Sequence, residues 1–86
     1  MEQIKNAMES LKEIVRSQLP NAEFNIDITY KTDTNAFEDY WRIEGRFDEK
    51  KDWNDFIIED GYFDQAVEKA KQAIQESISE IQNSFA

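Results

Sequence analysis

Apolar residues recur at three- and four-residue intervals in two long segments, one at each end of the chain. This spacing predicts amphipathic helices over residues 2–19 and 64–84, because it places the apolar side chains on one helical face. Pro20 ends the first helix, since the residue before a proline is pushed away from helical angles. Asp64 is the predicted N-cap of the second helix. The apolar stripes are Ile4, Ala7, Met8, Leu11, Ile14, Val15 and Leu19 in the first helix, and Ala66, Val67, Ala70, Ala73, Ile74, Ile78, Ile81 and Phe85 in the second.

Between the helices the pattern changes to alternation, which predicts strands with one buried face over residues 22–31 and 38–48. Residues 53–58 are ambiguous, because Phe56-Ile57-Ile58 has β character while Trp53, Phe56 and Ile57 also suit one helical turn. We predict a short third strand over residues 54–59, with turns at 32–37, 48–52 and 59–61. The predicted inward side chains are Ala22, Phe24, Ile26, Ile28 and Tyr30 in the first strand, and Trp41, Ile43, Gly45 and Phe47 in the second.

Charge predicts how the first two strands pair. Inward residues must face inward residues, so the numbers of two paired residues must sum to an odd value. A sum of 71 sets Asp27 against Glu44, and like charges that are directly opposite repel each other. A sum of 69 places Ile28 opposite Trp41 instead, and it creates three pairs of opposite sign. We therefore predict the register that sums to 69, with Glu23 opposite Arg46, Asp27 opposite Arg42 and Lys31 opposite Glu38.

These elements predict an α+β fold of the order α-β-β-(β)-α. Short connections between consecutive strands favour an antiparallel meander sheet of two to three strands. Two long amphipathic helices cover its one apolar face, which gives a two-layer sandwich. With 86 residues, the chain is expected to form a single domain over positions 1–86.

The residue types present argue against catalysis. The chain contains no cysteine and no histidine, which removes disulfides, thiolate metal sites and the commonest general base. Its two glycines, Gly45 and Gly61, do not make a phosphate-binding loop. Paired carboxylates remain, but enzymes that use them need a substrate cleft, which a chain of this size rarely provides. We expect a protein that is not an enzyme and has no cofactor.

A calcium-loop spacing is present only in part. Asp48, Asp52 and Glu59 fall at positions one, five and twelve of such a loop. Position three is Lys50, and position six is Trp53 where the sharp turn requires glycine. We therefore expect no metal site.

The net charge of −9 restricts the possible partners. Direct binding to nucleic acid or to an anionic membrane is not expected, because both depend on Lys and Arg. A basic protein is the favoured partner, and a nucleic-acid-binding protein is the kind we expect. The start of the chain does not have the pattern of a signal peptide, and no apolar run approaches the ~18 residues of a membrane helix. These features predict a cytoplasmic protein.

Acidic and aromatic residues concentrate in the middle of the chain. Residues 20–64 contain thirteen acidic and five basic residues, and eight of the eleven aromatic residues lie between positions 37 and 63. Aromatic side chains among charges are typical of binding hot spots. An acidic loop can also serve solubility alone, and Trp41, Phe47 and Phe56 suit a core. The candidate partner-binding residues are Tyr40, Asp48, Glu49, Asp52, Trp53, Asp55, Glu59, Asp60 and Tyr62.

The predicted order of elements is also that of the double-stranded-RNA-binding domain. The stretch Val67-Glu68-Lys69-Ala70-Lys71-Gln72-Ala73 resembles part of that family's second helix. The family's basic loop before this helix is replaced by Glu59-Asp60-Gly61-Tyr62-Phe63-Asp64, which would repel phosphates. The resemblance is one of architecture and does not imply RNA binding.

Three functions fit these features. The first is an inhibitor that occupies the basic site of a nucleic-acid-processing protein as a nucleic-acid (DNA) mimic, similar in gross composition to phage anti-defence and anti-CRISPR proteins. The second is an antitoxin, immunity protein or escort chaperone that masks a basic toxin or effector. The third is a structural or oligomeric adaptor in which a long helix pairs with a copy of itself as a homodimer. We favour the first.

Overall fold

A computed structural model describes residues 2–33, 38–49 and 52–84, and the side chains at positions 33, 47–49, 52–54 and 84 lie outside the description. The three strands form one antiparallel sheet in the order β1-β2-β3. The predicted α-β-β-β-α order is confirmed, and the short strand predicted at 54–59 is part of a nine-residue strand. Phe85 of the predicted second stripe lies outside the described residues. The elements are α1 (Glu2–Gln18), β1 (Glu23–Asp33), β2 (Glu38–Glu49), β3 (Asp52–Asp60) and α2 (Phe63–Ser84).

Both helices cover the same face of the sheet. Helix α1 lies over β1, α2 lies over β2 and β3, and the two helices contact each other. Ala66 and Ala70 of α2 are fully buried, and their small side chains let this helix approach the sheet closely. Gln18 and Gln75 join the helices, each side-chain amide donating a hydrogen bond to the other at 3.1 and 3.0 Å. The result is the predicted two-layer sandwich.

One hydrophobic core fills the space between the two layers. Its side chains come from the predicted helical stripes and, in β1 and β2, from the predicted inward sets. Among the described residues, no polar or charged residue contributes to this core. Burying one large aliphatic side chain contributes roughly 1.5–3 kcal/mol, so this core is the main source of stability. Its members are Leu11, Val15, Leu19, Ile26, Ile43, Phe56, Ala66, Ala70, Ile74, Ile78 and Ile81.

The predicted register between β1 and β2 was wrong. Paired residues sum to 71, so Ile28 lies opposite Ile43 and Asp27 lies opposite Glu44. Both registers keep each side chain on its predicted face, and contacts on the helix side distinguish them. In the observed register the ring of Tyr30 packs against Trp41 with their centroids 4.9 Å apart. An aromatic pair contributes about 0.5–1.5 kcal/mol, which matches or exceeds a pair of exposed charges.

Trp41 also joins the sheet to the start of α2. Its ring meets Phe63 edge to face at a centroid distance of 4.9 Å. At the other side of the same group, the Tyr30 hydroxyl donates a hydrogen bond to Asp39, which raises the pKa of Tyr30 above its usual value. Three rings from β1, β2 and α2 are therefore packed in series at one end of the core.

Gly45 lies at the centre of the sheet, between Ile26 of β1 and Phe56 of β3. The Phe56 ring occupies the space beside it, so a Cβ added at position 45 would lie 2.6 Å from Phe56 Cζ and closer still to Cε1. A ring that covers a strand glycine in this way helps to hold the register of the neighbouring strand. Glycine is needed here for close approach.

Helix α2 begins differently from the prediction. The carbonyl of Tyr62 accepts the first helical hydrogen bond, from Ala66 N–H at 2.9 Å, so Tyr62 occupies the N-cap position. Asp64 lies within the first turn, and its prediction as the N-cap was wrong. The carboxylate of Asp60 accepts from Tyr62 N–H at 2.9 Å, a local turn that competes with longer strand pairing. A carboxylate in the first turn is still favourable because of the helix dipole.

The strands also extend further into the predicted turns. The segment 48–52 contributes Asp48 and Glu49 to β2 and Asp52 to β3, while positions 50 and 51 lie outside the described residues. Glu59 and Asp60 belong to β3 as well. Alternating apolar residues are sparse in these segments, so the strands predicted from periodicity are shorter than the observed ones.

We expect Gly45→Ala to destabilise the fold by about 1–3 kcal/mol, because the added methyl group and the Phe56 ring would compete for the same space. Gly61→Ala is the matched control, since no atom lies within 4 Å of a Cβ at that position. The control is expected to change stability by less than about 1 kcal/mol. Urea denaturation measures both variants, and equal stability of the two would contradict the role assigned to Gly45.

Candidate partner-binding face

The sheet face that points away from the helices is referred to below as the open face. Odd-numbered residues of β1 and β3 and even-numbered residues of β2 project from it. Because α1 and α2 both pack on the opposite face, this surface is not covered by either helix. Its described side chains range from partly buried to exposed.

Strand pairing arranges the open face in rows that run across the three strands. Residues in one row are directly opposite each other, about 4.8 Å apart between strands, while successive rows are about 6.8 Å apart along a strand. The central strand supplies the middle residue of each row, so its charges lie between those of the two edge strands. Three rows are described in full: Asn25, Arg46 and Asp55; Asp27, Glu44 and Ile57; and Thr29, Arg42 and Glu59.

The middle of these three rows combines charge repulsion with apolar exposure. Asp27 lies directly opposite Glu44, an arrangement that destabilises a sheet. Ile57 follows Glu44 in the row and is 56% exposed. The row lies in an open depression of about 450 Å³, to which Glu23 and Asp55 also contribute.

Two arginines of β2 partly balance the carboxylates. Arg46 Nε lies 3.2 Å from Asp55 Oδ1 across the β2–β3 pair, and one Arg42 terminal nitrogen lies 3.5 Å from Glu44 Oε2. These are exposed ion pairs, which contribute little to stability. The described open face holds six carboxylates against three cations, a net charge of −3: Glu23, Asp27, Glu38, Glu44, Asp55 and Glu59 against Lys31, Arg42 and Arg46.

Three of the residues predicted from the sequence to bind a partner lie on the open face. Asp55 and Glu59 are exposed on β3, and Tyr40 is half-buried on β2. The others from the hairpin region, Asp48, Glu49, Asp52 and Trp53, have their backbones at the adjoining ends of β2 and β3, but their side chains lie outside the described residues. The structure therefore unites part of the predicted set on one surface.

Sequence reasoning did not include Asp27, Glu44 or Ile57 among the candidate residues. The alternating pattern places Asp27 and Glu44 on the polar side of their strands, but it does not indicate that the two residues lie opposite each other. Ile57 was assigned to an ambiguous apolar run. The signal that finds all three is the pairing register, which depends on contacts on the other side of the sheet.

Asp60 and Tyr62 lie away from the open face, at the connection from β3 to α2. Asp60 stands opposite Trp41 on the helix side of the sheet, and its side chain is only 8% exposed. Its carboxylate accepts from Lys69 Nζ at 2.6 Å and from Tyr62 N–H at 2.9 Å, so it ties the end of β3 to the first turns of α2. Tyr62 itself is 71% exposed beside this junction.

These contacts lower the pKa of Asp60. The hydrogen bond from Lys69 is the largest cause and the bond from the Tyr62 backbone is the second, while partial burial acts in the opposite direction. The charged carboxylate is therefore the form that the folded chain stabilises. The Asp60 carboxylate therefore stabilises the junction between β3 and α2.

Comparison with protein-family models, with curated proteins and with solved structures finds no match for this chain. Neither of the described helices is long and apolar enough to cross a membrane. Within residues 2–33, 38–49 and 52–84, no cluster of three or more potential metal ligands is found. The open face is therefore the surface from which we infer a function.

Asp60→Asn should destabilise the protein near neutral pH, because the amide can still accept from Tyr62 N–H but cannot form the ion pair with Lys69. A carboxyl whose folded pKa is lowered stabilises the fold above its unfolded pKa of about 3.9, and this contribution is lost as the pH falls through the folded pKa. The stability difference between the two proteins is thus expected to shrink in acid.

Urea denaturation at a series of pH values measures this difference. Asp55→Asn is the control, since it also removes a carboxylate from an ion pair, but an exposed one. A stability gap for Asp60→Asn that stayed constant or widened towards low pH would show that the ion pair is not its cause.

Proposed function

We propose that this protein is an inhibitor that binds the basic site of a nucleic-acid-processing protein through its open face, as a nucleic-acid mimic. The observation that carries the proposal is the uncovered sheet face with its excess of carboxylates. Proteins that bind nucleic acid do so mainly by placing Lys and Arg against regularly spaced phosphates. A surface that presents carboxylates at regular intervals offers those cations an alternative partner.

The rigidity of the sheet supports this proposal. Side chains that project from paired strands have fixed spacing, about 6.8 Å along a strand and about 4.8 Å between strands. The helices and the core hold the other face of the sheet, so the backbone that carries the carboxylates need not be ordered when a partner binds. Groups that are already in place lose less conformational entropy on binding.

The distribution of charge supports the same surface. Residues 1–19, which include α1, contain three acidic and three basic residues, whereas residues 20–64 have a net charge of −8. A basic partner is therefore attracted to the sheet and its connections more than to α1. Long-range attraction of this kind raises association rates and orients the partner before contact.

Ile57 gives the open face an apolar contact point. Its exposed side chain adjoins the Asp27–Glu44 pair within the same depression. A partner that covers this row would bury apolar area and place cations beside the carboxylates at the same time. Interfaces commonly combine a buried apolar contact with a polar surround.

Two charge-matched variants test the proposal. Asp27→Asn/Asp55→Asn/Glu59→Gln removes three negative charges from the open face, and Glu2→Gln/Glu13→Gln/Glu76→Gln removes three from exposed helix positions. Each variant changes the net charge from −9 to −6. The unaltered chain and both variants serve as baits for host lysate, with elution along a salt gradient and identification by mass spectrometry.

We expect the unaltered chain and the helix variant to retain a nucleic-acid-binding protein that elutes as salt screens the charges, and the open-face variant to lose it. The purified partner should also release DNA or RNA when the unaltered chain is added. Equal loss of binding in both triple variants would contradict the role of the open face. A partner that binds no nucleic acid would contradict mimicry and favour an antitoxin or escort function.

A further inference from the structure

The sheet has two edges, and β1 forms one of them. All eleven residues of β1 pair with β2 on one side without interruption, and no described strand lies on the other side. The strand contains no proline and no bulge. Such an edge is a template for pairing with another strand unless its sequence prevents it.

The opposite edge, β3, does not favour pairing with a copy of itself. Its charged residues are all acidic, so no register of two β3 strands sets opposite charges against each other. An antiparallel pair centred on Ile57, for example, would place Asp55 of each copy against Glu59 of the other. Like charges directly opposite destabilise a sheet.

The edge at β1 is different, because Asp27 and Lys31 have opposite signs and lie four residues apart on the open face. An antiparallel pair of β1 strands centred on Thr29 sets Asp27 of each copy against Lys31 of the other. Centring the pair on Asp27 would set Glu23 against Lys31, but it would also oppose Asp27 to itself. Centring it on Tyr30 would set Lys31 against an uncharged residue, Thr29. Centring on Ile28 would oppose no charges of opposite sign.

Pairing centred on Thr29 would also give a contact to two side chains that are exposed in a single copy, Asp27 and Tyr30. No described residue forms an ion pair with Asp27, although Glu44 repels it from the other side. Lys31 of a second copy would lie beside that carboxylate. On the helix side, Tyr30, which is 49% exposed, would meet Ile28 of the second copy.

We infer that the β1 edge is the self-association surface of this protein, and that two copies pair there in antiparallel fashion about Thr29 to form a six-stranded sheet. The twofold axis of this dimer lies between the two Thr29 residues and is perpendicular to the sheet. It keeps the helices of both copies on one side of the sheet and joins the two open faces on the other side. This inference does not depend on the proposed function.

Sedimentation equilibrium of the full chain tests the inference. One strand edge is narrower than a standard interface of about 1,600 Å², so we expect a dimer that dissociates in the micromolar range. Lys31→Glu and Asp27→Lys each turn two attractive pairs into two repulsive ones and should raise the dissociation constant by at least about tenfold. The double variant Asp27→Lys/Lys31→Asp restores both pairs and should restore the dimer. Glu59→Lys, on the same face at the other edge, should leave it unchanged.

Crosslinking provides a second measurement that does not depend on charge. Because the chain lacks cysteine, Thr29→Cys introduces a single thiol that would face its own copy across the axis. Asn25→Cys, on the same strand and face, would lie about 27 Å from its copy at about 3.4 Å per residue. A short bismaleimide should join the first variant and not the second, with circular dichroism confirming that both are folded.

A chain that remains monomeric throughout the micromolar range would overturn the inference. So would dimerisation that both single charge reversals leave intact, a folded double variant that stays monomeric, or crosslinking of Asn25→Cys as efficient as that of Thr29→Cys.

Discussion

The Phe56 ring lies over Gly45 at the centre of the sheet, and this contact helps determine which residues of the three strands stand side by side. Gly45 pairs with Ile26 on one side and with Phe56 on the other. A shift of either edge strand by two residues would keep every side chain on its own face. A shift of β3 would nevertheless remove Phe56 from the space that the glycine leaves free, and a shift of β1 would separate Tyr30 from Trp41. The fit on the helix side therefore fixes the rows on the open face.

The arrangement of charge on the open face follows from that fit. The two registers keep the same apolar side chains on the helix side and differ in contacts such as the Tyr30–Trp41 pair. An aromatic pair contributes about 0.5–1.5 kcal/mol, whereas an exposed cross-strand charge pair contributes roughly 0.2–1 kcal/mol. The core can therefore impose a register in which Asp27 faces Glu44. Because the repulsion between these two carboxylates remains in the folded chain, their electrostatic arrangement is not the most favourable one for the chain alone. Such local conflicts are expected at functional sites.

The sequence predicts the faces of the strands well and their pairing poorly, for a physical reason. Alternation identifies Ile26 and Ile43 as buried because each strand encodes its own two faces. Register depends on how rings such as Tyr30 and Trp41 meet across strands, which no single strand encodes. Charges on the exposed side therefore predict the wrong register, because the contacts that decide it lie on the helix side.

The candidate site divides along the same line. Asp55 and Glu59 were predictable as exposed carboxylates of an acidic segment, and they lie on the open face. Asp60 belongs to the same acidic run, but its carboxylate is enclosed and bonded to Lys69 across the β3–α2 junction. Composition cannot distinguish these two fates, because the distinction depends on which side of β3 each residue occupies. Only the structure separates a carboxylate that holds the fold from one that faces solvent.

The arginines of the central strand determine which carboxylates of the open face have a cation in their row. Arg42 and Arg46 lie between the acidic residues of the two edge strands, so that two of the three fully described rows contain a cation. The row between them contains Glu44 in place of an arginine, with Asp27 on one side and Ile57 on the other. Glu44 is drawn towards Arg42, which leaves Asp27 as the carboxylate of this row without a cation among the described residues. Within the three fully described rows, the carboxylate that has no cation in its row and no described ion pair thus lies on β1. Because β1 is also the edge at which we propose pairing, the proposed surface for a basic partner and the proposed surface for a second copy would share this residue.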